Sequence, residues 1–284
     1  MTSLIDALNA GRPVISVELR PPRAELESAA GIDAWIDTYH AVRGLTRQGV
    51  RVFLTDSAVG AQEENNLRHL VNNLGPDVDR DRIVPFLTCK HSLDYCLSYA
   101  DQAVQHRFGS LVVLGGDKTV GRPRCVEHAW QLRERIRAHH ADLRLGGWAN
   151  PNTDPVRQVD FLVDPRFTGE FYLTQVVSHH DIAPVERFLI EAERRGVKTP
   201  GVFGVFYYRS ANPKTLEALR SFLPVPTEAV AREFASGATP EEICARTVRA
   251  LADVGARHVY ISNLPLQRTA ATLNAILDKV GAAA

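Results

Sequence analysis

Eight short apolar runs, separated by longer segments of helical period, leave few folds open to this chain. The runs are Val14–Arg20, Val52–Thr55, Ile83–Thr88, Leu111–Gly115, Leu143–Ala149, Phe171–Gln175, Gly201–Phe206 and His258–Ser262. Between them lie amphipathic stretches such as Ile32–Gln48, Leu93–His106, Val126–His140, Pro184–Arg195 and Pro240–Val254. Each carries apolar residues three and four apart with charges between, the period of a helix with one buried face. Strict alternation of apolar strands with helices predicts a parallel sheet covered on its outside. Eight such units match a (β/α)8 TIM barrel, typically about 250 residues. A doubly wound open sheet is the alternative. One extra short helix is expected between Asn212 and Thr239, bracketed by Pro213, Pro224 and Pro226. With no repeat or linker in view, residues 1–284 are taken as a single α/β domain.

Charge and cysteine usage narrow the partners. Thirty-three Lys plus Arg balance 33 Asp plus Glu, so the overall field favours neither nucleic acid nor an anionic membrane. Cys89, Cys96, Cys125 and Cys244 are scattered without a zinc-ligand spacing, as expected of buried free thiols in a reducing compartment. No run approaches the roughly 20 apolar residues of a membrane span, and Met1 to Pro13 has no secretory pattern. A cytoplasmic protein is expected.

In such a barrel the strand C-termini and the loops after them build the site. That rule selects Glu18, Thr55, Thr88, Asp117, Asn150, Gln175, Tyr207, Tyr208 and Asn263. Glu18 sits among apolar neighbours, where its charged form is disfavoured and its pKa rises toward that of a general acid; alternatively it pairs with Arg20 or Arg23. Asp117 follows Gly115 and Gly116, which admit a close ligand, but an Asp there also serves as an ordinary helix N-cap. Gln175 offers donor and acceptor to the edge of a planar heterocycle, or to a loop backbone. Tyr207 and Tyr208 suit either a stacking platform or the closing of the core. Neither GxGxxG nor GxxxxGK[ST] is present, which leaves a Rossmann or P-loop nucleotide site unsupported. The pairs His139-His140 and His179-His180 lack a third ligand at a useful spacing, so no metal is expected.

Together these segments resemble the methylenetetrahydrofolate reductase family over nearly the whole chain. The stretch from Val17 to Arg23 resembles the family's first-strand Glu-Phe-Phe-Pro-Pro-Arg. The stretch Pro85-Phe86-Leu87-Thr88-Cys89 resembles Pro-His-Leu-Thr-Cys, and Leu114-Gly115-Gly116-Asp117 resembles Leu-Arg-Gly-Asp. Leu173-Thr174-Gln175 is similar to Ile-Thr-Gln, while Pro200 to Phe203 and Tyr260 to Asn263 are similar to the seventh- and eighth-strand signatures. The resemblance implies reduction of 5,10-methylenetetrahydrofolate to 5-methyltetrahydrofolate, a step in methionine biosynthesis. Glu18 would then protonate the bridging imidazolidine nitrogen and open the ring to an iminium that accepts hydride. Asp117, Gln175, Tyr208 and Asn263 would contact the folate, with Asp117 favouring the cation. Thr55, Phe86, Gly115, Asn150 and Tyr207 would fall on the side of the redox partner.

Departures from the family pattern bear on that partner. Where the flavin-dependent enzymes carry residues that hold FAD, this chain has Phe86, Gly115, Asn150 and Asp154, with Asp160 and Asp164 near the helix positions that are normally basic. Each phosphate-pairing residue ordinarily contributes about 1.5 to 3 kcal/mol, and a carboxylate there repels instead. Bound FAD is therefore not expected, and NADH or NADPH is expected to deliver hydride directly, with Lys90, Lys118, Arg122 or Arg124 as phosphate partners. A rearranged flavin site and a non-catalytic folate-binding or regulatory subunit are the alternatives. Retention of Glu18 argues against the second, since binding alone needs no proton donor.

Overall fold

The computed structural model describes residues 3–22, 28–56, 66–75 and 78–281. Its strands are β1 (Ile15–Leu19), β2 (Arg51–Leu54), β3 (Ile83–Thr88), β4 (Ser110–Leu114), β5 (Arg144–Ala149), β6 (Phe171–Val177), β7 (Gly201–Phe206) and β8 (Val259–Ser262). The helices are α1 (Leu4–Asn9), α2 (Ser28–Arg47), α3 (Asn66–Asn73), α4 (Leu93–Gln105), α5 (Ala129–His139), α6 (Pro155–Val163), α7 (Ala183–Arg194), α8 (Pro213–Arg220), α9 (Thr227–Ala235), α10 (Pro240–Asp253) and α11 (Thr269–Gly281). All eight strands are parallel and pair in sequence order, and β8 returns to β1 with Val259 opposite Ile15. That closure excludes the open sheet and makes the fold the expected (β/α)8 barrel.

Strand parity sorts side chains into two cores. Val17 and Leu19 of β1 face the helices, whereas Ser16 and Glu18 face the axis. Phe53, Val84, Phe86, Val112, Phe171, Leu173, Val202 and Tyr260 fill the interior. Leu4 and Leu8, four apart on α1, join this inner cluster from the N-terminal end. Ser3 and Asp6 form a capping box on α1, and Arg51 at the start of β2 donates to the Ser3 carbonyl at 2.9 Å. Two glycines make room for the largest inner rings: a Cβ on Gly146 would stand 2.5 Å from the Phe171 ring, and one on Gly204 would stand 2.5 Å from the Tyr260 hydroxyl. The Tyr260 hydroxyl donates to the Thr174 carbonyl, which satisfies the one polar atom of that buried ring.

Several boundaries differ from the sequence expectation. The segment from Asn212 to Thr239 holds two helices, because it carries two starts: Asn212 caps α8 with Pro213 in its first turn, and α9 begins after Pro224 and Pro226 have ended that stretch. Helix α5 starts at Ala129, where His128 and Gln131 form a capping box, so Val126 stays outside it. Strand β6 runs on to Val177 through a register shift between Leu173 and Val176. Among the described residues no helix is long and apolar enough to cross a membrane.

Candidate functional site

Glu18 is the most perturbed acid of the barrel mouth. Its inward parity on β1 brings it beside Ser262, the last residue of β8, whose hydroxyl donates to Oε1 at 2.9 Å. Phe53, Phe86 and Tyr260 lie beneath, with ring centroids 6.1 Å apart from Phe53 to each neighbour. Desolvation over this apolar floor raises the Glu18 pKa to about 7, and the Ser262 hydrogen bond and the charge of Arg20 offset it only in part. Burial thus outweighs the pairing with Arg20; Arg23 lies outside the described residues.

The β2 and β3 ends hold a group that the sequence did not single out. The Asp56 carboxylate accepts from the Thr88 backbone N–H at 2.7 Å and hydroxyl at 3.0 Å, and lies 2.9 Å from His91 Nε2. Thr55, just before it, extends the β1 ladder by donating its N–H to the Leu19 carbonyl at 3.0 Å. Trp148 was also missed. It pairs in register with inward-facing Leu173 and is 37% exposed, so its ring stands at the mouth. The signal was available, since Trp148 shares parity with Gly146 inside a run ending at a strand terminus.

The remaining expected residues divide by parity and by loop. Gln175 lies in the β6 register shift and accepts from the Val176 N–H at 3.0 Å through Oε1. Asn263 adopts a left-handed backbone (φ 70°), which Asn tolerates better than most residues, and its amide donates to the Tyr207 carbonyl at 3.0 Å. Tyr208 and Asn263 line one cavity of about 200 Å³ together with Phe206 and Leu216. Tyr207, expected toward the cofactor, instead points outward: its hydroxyl donates to Glu241 on α10 at 2.7 Å. Phe86 is buried in the inner core rather than lining an open surface.

Asp117 is exposed and turned onto its own loop, accepting from the Thr119 N–H at 2.7 Å, the Thr119 hydroxyl at 3.0 Å and the Val120 N–H at 3.0 Å. These bonds to the charged form hold its pKa below the ordinary carboxylate value. Gly115 leaves space that Arg124 fills: a Cβ there would lie 2.8 Å from the guanidinium carbon, and Arg124 donates to the Gly116 and Glu127 carbonyls. Lys90 is buried and donates to the Val120 and Arg122 carbonyls at 2.7 Å each, so both cations serve this loop. Lys118 and Arg122 remain at the surface. Asn150 organises a turn by accepting from the Asn152 N–H at 3.1 Å, and Asp154 caps α6. Asp160 pairs with Arg195 at 2.9 Å and Asp164 with Arg166 at 2.6 Å.

The histidine pair departs from expectation. A third group does reach His179 and His180: the acid Glu233, on α9, lies 3.3 Å from one Nε2 and 3.0 Å from the other.

No protein-family model and no curated protein matches the sequence. Solved structures do match. One is a protein from Clostridium thermocellum that binds two copies of 5-methyl-5,6,7,8-tetrahydrofolic acid; it is 16% identical, with 96% of this chain and 95% of that chain covered at a TM-score of 0.63. Another, from Pseudomonas aeruginosa and described as a candidate dihydrodipicolinate synthetase, is 13% identical over 95% of this chain and 79% of that one, with a TM-score of 0.47. At 16% identity the first likeness bears on the fold alone.

Proposed function

We propose that this chain binds a reduced folate at the C-terminal mouth of its barrel and reduces 5,10-methylenetetrahydrofolate to 5-methyltetrahydrofolate, with a reduced nicotinamide nucleotide as hydride donor. The observation that carries the reading is the Glu18 carboxyl, desolvated at the mouth and half-protonated near pH 7. A proton from Glu18 to the bridging nitrogen breaks the adjacent C–N bond and leaves an iminium. Hydride from the dihydronicotinamide then reduces the methylene carbon to the methyl group, and the nicotinamide leaves oxidised. The methyltetrahydrofolate bound by the Clostridium thermocellum protein of like fold is the product of this reaction and supports the choice of substrate.

A flavin diphosphate fits the residues at its usual family positions poorly. Asp154 caps a helix, Asp160 and Asp164 are committed to Arg195 and Arg166, and Phe86 is core. Nothing in that set attracts a pyrophosphate. Trp148 and Gln175 are the proposed pterin contacts, one by stacking and one by its amide edge.

Without a stored hydride, both substrates must meet in the mouth, with the reacting carbons roughly 3 to 3.5 Å apart. Initial rates with varied NADH or NADPH and methylenetetrahydrofolate should give intersecting double-reciprocal lines, from protein without flavin absorbance. Parallel lines with activity dependent on added FAD would overturn direct transfer. Saturable folate binding with no oxidation of either nucleotide would instead make the chain a folate-binding protein.

A further inference from the structure

His179 and His180 occupy a single 3-10 turn after β6, held by Ser178, whose hydroxyl accepts from the His180 N–H at 3.3 Å. Their rings are 4.0 Å apart at the centroids, although consecutive side chains ordinarily diverge. Both converge on Glu233 of α9, part of the insertion between β7 and α10. One ligand atom from each of the three lies within 4.8 Å of the others. The side chains are 15%, 17% and 13% exposed.

His179 is held at both ring nitrogens: its Nδ1 lies 2.8 Å from the Thr247 hydroxyl and its Nε2 3.3 Å from Glu233 Oε1. In the tautomer with its proton on Nδ1, the Nε2 lone pair faces that carboxylate, the pairing of donors that a cation takes. Nitrogen and oxygen ligands about 2.0 to 2.2 Å from a tetrahedral zinc stand roughly 3.4 Å from each other. The observed 3.3 and 3.0 Å separations are close to that value. A histidine ligand commonly has its other ring nitrogen held by an outer-shell partner, the place that Thr247 takes here.

We propose that His179 Nε2, His180 Nε2 and the Glu233 carboxylate form a binding site for a divalent transition-metal ion of the zinc class, which ties the α9 insertion to the end of β6. Three protein ligands leave the fourth position to water. Arg246 is the competitor. It also donates to Glu233 Oε1, but its side chain is 42% exposed and free to turn into solvent when the ion takes that oxygen.

The test is calorimetric titration of Zn²⁺ into the full chain after treatment with a chelator and desalting. One ion per chain should bind, and His180→Ala and Glu233→Gln should abolish the binding. Thr247→Val should weaken it about 10- to 100-fold, as loss of an outer-shell partner does. Arg246→Gln should tighten it, whereas in a mere salt-bridge network that change would only loosen α9. Should the ligand variants fail to fold, Co²⁺ added to the wild-type chain should give the intense visible bands of a four-coordinate ion. No saturable binding, binding unchanged in His180→Ala, or Co²⁺ bands of a six-coordinate ion would overturn the proposal.

Discussion

The end of β1 and the loop after β4 each present a carboxylate on the C-terminal side of the barrel, and the two surroundings push in opposite directions. Glu18 meets an apolar floor and a single hydroxyl, so its charge is disfavoured and its pKa climbs to about 7. Asp117 meets water and three donors from Thr119 and Val120, so its charge is favoured and its pKa falls. A strand fixes the direction of a side chain by parity, whereas a loop lets a short acid close on its own backbone. Only the first arrangement stores a proton at neutral pH for later use.

The largest effect should come from breaking that storage. Glu18→Gln keeps the shape and removes the proton, and should lower kcat about 10²- to 10⁴-fold with an unchanged circular dichroism spectrum. In the wild type, log kcat should fall with a slope of about −1 as pH rises above the Glu18 value of about 7. Stability gives an independent reading. An acid whose folded pKa stands above its unfolded value of 4.5 binds more protons in the native state, so its contribution is intact below 4.5 and is lost as pH rises to about 7. Urea midpoints should therefore show the wild type losing up to about 3 kcal/mol relative to Glu18→Gln between those limits. Parallel stability curves for the two proteins would mean that Glu18 is no more desolvated than an ordinary surface acid.

A second substitution sharpens the comparison on the strand side. If parity makes mouth residues functional, Trp148 should act as a stacking surface even though it performs no chemistry. Trp148→Ala should raise the folate KM about two- to ten-fold, the equivalent of roughly 0.5 to 1.5 kcal/mol for an aromatic contact, and leave kcat nearly unchanged. The ring is 37% exposed, so little core packing is lost with it. A kcat loss at constant KM would instead assign Trp148 to the transition state.

The same contrast explains what was legible in the sequence. All eight strands could be placed because continuous apolar runs report burial on both faces, and β3 and β7 were located to the residue. Glu18 was legible because an acid inside such a run has few places to go. The outward turn of Tyr207 was not, since two adjacent tyrosines at a strand end differ only in parity, and a one-residue uncertainty in the strand's end reverses the assignment. Asp56 with His91, and His179 with His180 and Glu233, were hidden for another reason: their partners lie 35 to 54 residues apart and meet only through the loops and the α9 insertion.

The smallest effect is expected at Asp117, and it separates the two halves of the comparison most finely. The family resemblance places this acid on the pterin, where its charge would stabilise the iminium. The loop geometry commits the same carboxylate to Thr119 and Val120. An asparagine in its place keeps one oxygen for those N–H donors and loses the charge alone. If the loop arrangement persists during turnover, Asp117→Asn should change kcat and the folate KM by less than about five-fold, the worth of roughly one neutral hydrogen bond. If the loop opens to the substrate, the lost charge is felt in the transition state and kcat should fall toward the Glu18→Gln value. Steady-state kinetics of the two variants at one pH decide between these outcomes. A loss at Asp117 as large as at Glu18 would return the β4 loop to the reacting centre and remove the distinction between strand and loop acids drawn above.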